Sequence, residues 1–153
     1  MTILVRMMGM VSGLLLMVLF GGAYASDEAG MVKVVNGNAT IERGDQKIIA
    51  TPGAKLLVSD RVLTGVASSM GITLHDGTLL SLGPKSSLSL NKFAFDSTTN
   101  LGALDASLKR GTLAVVSGKL SKSSPDAVTY RTPTSILGVR GTEFIIEAGA
   151  EDN

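Results

Sequence analysis

Apolar and polar residues alternate in short segments along most of the chain. Met70, Ile72 and Leu74 alternate with small or polar residues, and Leu80 and Leu82 repeat the pattern a few positions later. Period-2 alternation of this kind predicts strands that bury one face. Turn residues, mainly Gly, Pro, Asn and Asp, separate these segments at intervals of about 8–12 residues, which is typical of an all-β sandwich or barrel-like fold.

The pair Asp76-Gly77 lies between two of the alternating segments. Asp-Gly is the preferred centre of a type I′ turn, in which both central residues have positive φ. We therefore expect residues 69–75 and 78–82 to form a β-hairpin, with positive φ at both Asp76 and Gly77.

Two stretches depart from simple alternation. The pattern slips by one residue at Asn91-Lys92, which predicts a bulge or a strand corner. Three leucines between residues 101 and 108 are spaced three and four apart, as on a helix. Gly102 and the short length of this stretch weigh against a helix, so the stretch is open between helix and strand.

The first 25 residues have the composition of a secretory signal peptide. Arg6 is their only charged residue, an apolar run of about ten residues follows it, and Ala23 and Ala25 form an A-x-A cleavage site. A membrane anchor is the alternative, but roughly 20 apolar residues are needed to span a bilayer. We expect cleavage after Ala25, a periplasmic or secreted location, no stable membrane insertion of the mature protein, and one domain over residues 26–153.

Charge and composition exclude several classes of function. The chain has 14 Lys and Arg, 13 Asp and Glu, one His and no Cys. Losing Arg6 would leave a formally neutral domain, so we expect neither nucleic acid nor an anionic membrane as partner. The absence of cysteine excludes thiol catalysis and thiolate metal sites, and a single histidine excludes a multi-histidine zinc site. We expect no metal site and no cofactor.

The neighbours His75 and Asp76 are the only residues that suggest hydrolytic chemistry. A catalytic triad needs a nucleophile on a sharp turn and a histidine oriented by a third group, and the chain has no G-x-S-x-G motif. Asp76 is better explained as a turn residue, and His75 as a solvated strand residue on the face opposite Met70 and Leu74. We therefore expect no catalytic residues and no enzymatic activity.

Three segments stand out as motifs. The first is SDRVLTG at residues 59–65, the second is LHDGTLLSLGPKSSL at residues 74–88, and the third joins RTP at 131–133 to GVRGTEF at 138–144. In order, they resemble the signature of the FecR-type domain, the periplasmic module of ferric-citrate sensor-regulators. Ser59 replaces that family's usual glycine, so its turn must tolerate a Cβ. The signature residues are Asp60, Thr64, Gly65, Asp76, Gly77, Thr132, Pro133, Val139, Arg140, Gly141, Thr142 and Phe144.

The resemblance spans roughly residues 30–147. It implies two twisted, mainly antiparallel sheets of short strands, in a sandwich or β-helix-like arrangement, and a protein-interaction role without catalytic residues. We expect an exported domain that binds an envelope protein or a surface polymer. A small-ligand sensor or binding module, for a metal chelate or a glycan, is the alternative. The residues favour no particular oligomeric state.

Full-length regulators of this type carry a cytoplasmic sigma-factor-binding segment and a transmembrane helix before this domain. Because this chain has the pattern of a signal peptide in that position, the resemblance gives no basis for expecting anti-sigma activity or transmembrane signalling.

Arg140, in the third segment, has two interpretations. Its guanidinium could bind an anionic ligand, because the planar fork suits carboxylates and phosphates. Alternatively, it pairs inside the domain and holds the last strand to an earlier one, with Asp60 or Asp76 as partner. We favour the internal pair.

Overall fold

The computed structural model describes residues 27–141 and 143–149. The expected signal peptide, its cleavage site and Thr142 lie outside the described residues.

Strands dominate the described chain. They are β1 (Glu28–Asn36), β2 (Ala39–Arg43), β3 (Gln46–Ile49), β4 (Lys55–Leu57), β5 (Arg61–Thr64), β6 (Ser69–Leu74), β7 (Leu79–Leu82), β8 (Ser87–Phe95), β9 (Gly102–Val116), β10 (Val128–Arg131), β11 (Ile136–Gly138) and β12 (Glu143–Ala148). A one-turn helix, α1 (Leu120–Ser123), and a 3-10 turn (Pro125–Ala127) precede β10.

Nine of the described strands form one hydrogen-bonded path, in the order β3-β2-β5-β8-β9-β7-β6-β1-β4, while β10 and β12 pair with β9 and β11 pairs with β10. The long strand β9 is central to it, because its first half pairs with β8 and β10 while its second half pairs with β7 and β12. Only the β9–β10 pairing is parallel among the described strands. The all-β and mainly antiparallel expectations are therefore confirmed, but β9 joins the strands into one strongly curled sheet rather than two separate ones.

Gly111 marks the point where β9 changes partners. Its φ is +91°, and a Cβ at this position would lie 2.1 Å from Ser86 Oγ. The Thr112 N–H donates a hydrogen bond to that same oxygen at 3.0 Å. Glycine is therefore required here both by the left-handed backbone and by the close approach of the β7–β8 corner.

The expected hairpin is present, but its turn is not type I′. β6 and β7 pair with Thr73 opposite Leu79, while Gly77 has a φ of +86° and Asp76 does not have positive φ. The Gly77 N–H donates to the Leu74 carbonyl, and the Leu74 N–H donates to the Thr78 carbonyl. These are the hydrogen bonds of a three-residue loop, in which a type I turn precedes a left-handed glycine.

The two irregular stretches are now resolved. The β8–β9 register shifts between Leu90 and Lys92, which confirms the expected bulge. The side chain of Asn91, at the bulge, donates hydrogen bonds to Asp105 and Ser107 of β9. The leucine-rich stretch after residue 101 is a strand and not a helix, because Leu104 and the two alternate residues that follow are buried on one side of β9.

The concave side of the curled sheet holds the core. Its largest fully buried side chains include Ile72, Leu80 and Leu113, on neighbouring strands. Each such side chain contributes about 1.5–3 kcal/mol on burial. Tyr130 of β10 is also buried there and packs edge-on against Phe144 of β12, with ring centroids 5.2 Å apart. This contact connects the final strand to the core.

Candidate functional site

Asp60, in the first signature segment, is buried and multiply bonded. Its carboxylate accepts two hydrogen bonds from the Arg43 guanidinium, at 2.9 and 2.8 Å, and one from the Leu57 N–H at 2.8 Å. The hydrogen bond with Asp60 raises the pKa of Arg43 above its usual value. This group holds β2 to the turn before β5, and its carboxylate is not available to a ligand.

Thr64 and Gly65 end the same segment at a corner of the sheet. The Thr64 hydroxyl donates to the Gly83 carbonyl at 2.6 Å and accepts from the Ser86 N–H at 2.9 Å. The Gly65 carbonyl accepts from the Lys85 N–H. The first signature segment therefore fixes the corner that connects β7 to β8 in the second segment.

Asp76, in the second segment, is buried and its carboxylate accepts several hydrogen bonds. Its carboxylate accepts from the N–H and hydroxyl of Thr78, at 3.0 and 2.8 Å, and from the Leu120 N–H at 3.3 Å. The Gly118 N–H donates to the Thr78 hydroxyl at 3.1 Å. The carboxylate also adds to the effect of burial, which raises the pKa of Tyr130. Asp76 therefore connects the β6–β7 turn to the segment before α1.

The third segment is more open than the other two. The Thr132 N–H donates to the Ser135 carbonyl in the turn between β10 and β11, and Pro133 is exposed in that turn. Val139 is buried, and Gly141 has a φ of +66°. Tyr130 lies between the second and third segments, because it is near Asp76 of the second and packs against Phe144 of the third.

The expected internal pair of Arg140 with Asp60 or Asp76 is wrong. The Arg140 side chain is 81% exposed, and it lies 3.7 Å from the Asp126 carboxylate, which is 95% exposed. Both expected partners are already engaged, Asp60 by Arg43 and Asp76 by backbone and hydroxyl donors. Arg140 therefore projects to solvent beside a cleft of about 570 Å³.

His75 lies in the β6–β7 turn and not within a strand. Its side chain is half exposed and lies 3.4 Å from the Glu28 carboxylate. A hydrogen bond from Lys55, with a smaller contribution from His75, lowers the pKa of Glu28. The Asp76 carboxylate is engaged by Thr78 and Leu120, so the two neighbours do not form the His–Asp part of a triad.

Four aliphatic residues share the convex side of the sheet and together define what we call the outer face: Val34, Leu79, Val116 and Ile145. Leu79 lies directly opposite Val116, and Ile145 is on the next strand, opposite Ala114. Val34 leans across Gly71, where a Cβ would come within 2.7 Å of it. The motifs did not predict this face, although Leu79 lies within the second segment. Its signal in the sequence was the aliphatic residues at alternating positions that otherwise hold polar ones.

A second exposed feature is a cleft of about 560 Å³ beside the β7–β8 corner. Lys85 and Arg110 line it, together with Val66 and Ala148. The structure describes five arginines, and Arg110 is the one that has no carboxylate within 4.0 Å. The cleft therefore presents positive charge that the described acidic residues do not neutralise.

Over 27–141 and 143–149, no group of three or more His, Cys, Asp or Glu residues is placed to hold a metal ion. Within the same ranges, no helix is both long and apolar enough to cross a membrane.

The curled sheet and its buried polar turns define a β-domain. A family model described as FecR protein matches residues 60–153, which is more than half of the chain. The chain therefore belongs to the FecR family, whose domains are associated with the bacterial envelope and with regulation and signalling. Searches of curated proteins and of solved structures found no match.

Proposed function

We propose that this protein is an exported, non-catalytic domain of the bacterial envelope that binds another protein through the outer face. The observation that carries the proposal is that Val34, Leu79, Val116 and Ile145, on strands β1, β7, β9 and β12, are exposed on the same side of the sheet. Exposed apolar residues that group on one side of a sheet are a mark of sites of protein contact.

The chemistry of the face favours a protein over a surface polymer. The large hydrophobic residues exposed in the described chain are all Val, Leu or Ile, so the face has no aromatic ring on which a sugar could stack. Aliphatic side chains bury well against other aliphatic side chains and gain most from excluding water. Glu143 and Glu147 on β12 are exposed beside the face and form part of a polar rim.

The test compares capture of envelope proteins by the parent protein and by two variants. Leu79→Glu places a charge on the outer face, and Leu101→Glu places the same charge on a residue of similar exposure, 53% against 43%, outside the face. We expect cross-linking in envelope extract to give a specific product with the parent and with Leu101→Glu, and to lose it with Leu79→Glu. An identical set of products for all three proteins would contradict the proposal.

Export is tested separately. If residues 1–25 are removed as a signal peptide, N-terminal sequencing of the protein from the envelope fraction begins at Ser26. Recovery of the protein from the cytosol, or with Met1 to Ala25 retained, would contradict this part of the proposal.

The cleft of Lys85 and Arg110 supports a second candidate, the binding of a small anionic ligand such as a metal chelate. Its volume lies within the roughly 300–1,000 Å³ range of small-molecule sites, and a guanidinium suits carboxylates and phosphates. Calorimetric titration with citrate and with inorganic phosphate tests it, with Arg110→Ala as the control. This candidate requires that citrate or phosphate give a heat of binding with the parent protein, and that Arg110→Ala abolish it. Titration with an uncharged oligosaccharide is the comparison that tests binding of a glycan.

A further inference from the structure

The strand β12 has a free edge. Among the described strands it pairs with β9 alone, and its other side has no hydrogen-bonding partner. Ile145 is 70% exposed there, and Glu143 and Glu147 are exposed on either side of it, while Ile146 points into the core. An open edge of this kind is a template for the addition of another strand.

The strand β3, at one end of the strand path, is another edge; among the described strands β4, at the other end, and β11 also pair on one side only. In the part of the chain that the structure describes, it pairs only with β2. Ile49 is 76% exposed, Lys47 is exposed two residues before it, and Ile48 between them packs against the core. Lys47 is 3.9 Å from Glu42 and mostly solvated, so this weak ion pair leaves it available to another carboxylate.

The two edges run in directions that allow them to pair. β12 is antiparallel to β9. The pairings β9–β8, β8–β5, β5–β2 and β2–β3 are each antiparallel, so β3 runs in the same direction as β9. β12 and β3 therefore run in opposite senses along the hydrogen-bonded path, and β3 of a second copy can be added to β12 as an antiparallel neighbour.

The side chains of the two edges also match. When Ile49 lies opposite Ile145 in an antiparallel pair, Lys47 lies opposite Glu147 and Ile48 lies opposite Ile146. The inward residues of both strands then remain on the same side. An aliphatic pair and an oppositely charged pair each stabilise adjacent strands. We infer that copies of this protein associate head to tail, with β3 of one copy added to β12 of the next.

The charges disfavour the symmetric alternative. Antiparallel pairing of two β12 strands around Ile145 would place Glu143 of each copy opposite Glu147 of the other, and like charges in that position are destabilising. A contact between two different edges leaves one edge free on each copy, so it generates chains, or rings where the rotation between copies closes, rather than a dimer with one symmetric contact. The nearly neutral net charge, +1 for the whole chain, offers little repulsion between copies.

The test is a charge reversal at each edge, read by light scattering on the exported protein after size exclusion at increasing concentration. We expect the parent to form species beyond the dimer. Lys47→Glu or Glu147→Lys alone should weaken the association about tenfold, since each replaces an attraction with a repulsion. The variant that carries both substitutions should regain the association. Circular dichroism verifies that each variant is folded.

Glu143→Lys is the matched control, because residue 143 falls beyond the end of β3 in the proposed register and its reversal should leave the association unchanged. A symmetric β12 contact would instead be tightened by Glu143→Lys, and that result would overturn the inference. A parent protein that is monomeric at every concentration would also overturn it, as would a double variant that fails to regain the association.

Discussion

The first two signature segments and the third differ in where they place their polar groups. Asp60, Thr64 and Asp76 are buried, and the side chain of each makes at least one hydrogen bond that connects separate parts of the chain. In the third segment Arg140 is exposed, and its one ion pair is with an equally exposed carboxylate. The first two segments therefore hold the turns of the fold, whereas the third contributes apolar packing inside and leaves its charge outside.

This difference decides which polar groups of the motifs can reach a ligand. The buried carboxylates already accept hydrogen bonds from the protein, so they have little capacity for a substrate. The surfaces that remain open for contact include the outer face and the free edges of β3 and β12. Most of their residues lie outside the motifs, but Leu79 and the first residues of β12 lie within them.

The largest effect should come from breaking the pair of Arg43 and Asp60. Arg43→Ala leaves a buried carboxylate with only the Leu57 N–H, and we expect the free energy of unfolding to fall by about 3–5 kcal/mol. Arg61→Ala is the control, because its pair with Glu42 is exposed and is worth about 0–1 kcal/mol. Denaturant unfolding of the two variants measures both values. If both variants lost the same free energy of unfolding, burial of Asp60 would not be what makes the Arg43 pair important.

The second effect compares two glycines in open space. Neither Gly77 nor Gly138 has an atom within 4 Å of an added Cβ, but only Gly77 has positive φ. Gly77→Val should therefore cost about 1–3 kcal/mol through backbone strain alone. Gly138→Val, in β11, should cost little, because β-branched residues fit a strand. Thermal melting of both variants measures the difference, and similar melting temperatures would contradict a left-handed turn at Gly77.

The third effect is a gain in stability. Ser59 has a φ of 72°, where the family usually has glycine. The left-handed conformation costs a residue with a Cβ about 1–2 kcal/mol, and part of this is offset by the greater unfolded-state entropy of glycine. Ser59→Gly should therefore stabilise the protein by about 0.5–1 kcal/mol in denaturant unfolding. Ser81→Gly, in the extended strand β7, should instead destabilise it, which separates conformation from the mere loss of a side chain.

The features that the sequence predicted correctly depend on neighbouring residues. The alternation around Ile72 defines β6, and the Asp-Gly pair locates the hairpin, because side-chain period and turn chemistry act within a few positions. The slip at Asn91 locates the bulge for the same reason.

The features that it missed depend on contacts between distant parts of the chain. Asp60 pairs with Arg43, 17 residues earlier, through the β2–β5 register, and Asp76 accepts a hydrogen bond from Leu120, 44 residues later. The turn type was also missed, and here the contact is local: the Asp76 carboxylate accepts a hydrogen bond from the Thr78 N–H in a turn that is not type I′. Neither the sharing of β9 between two sets of neighbours nor the outer face follows from any single segment.

The smallest effect should be that of Arg140→Ala. The guanidinium is 81% exposed, its distance to the Asp126 carboxylate is 3.7 Å, and both groups keep most of their water. Such a pair contributes little, because desolvation is slight and solvent screens the attraction. We expect the free energy of unfolding to change by no more than about 0.5 kcal/mol. Asp126→Ala should match it, since neither residue is left buried and alone. If Arg140→Ala lowered the free energy of unfolding by several kcal/mol, Arg140 would have to pair inside the domain. The third segment would then have the same structural role as the first two.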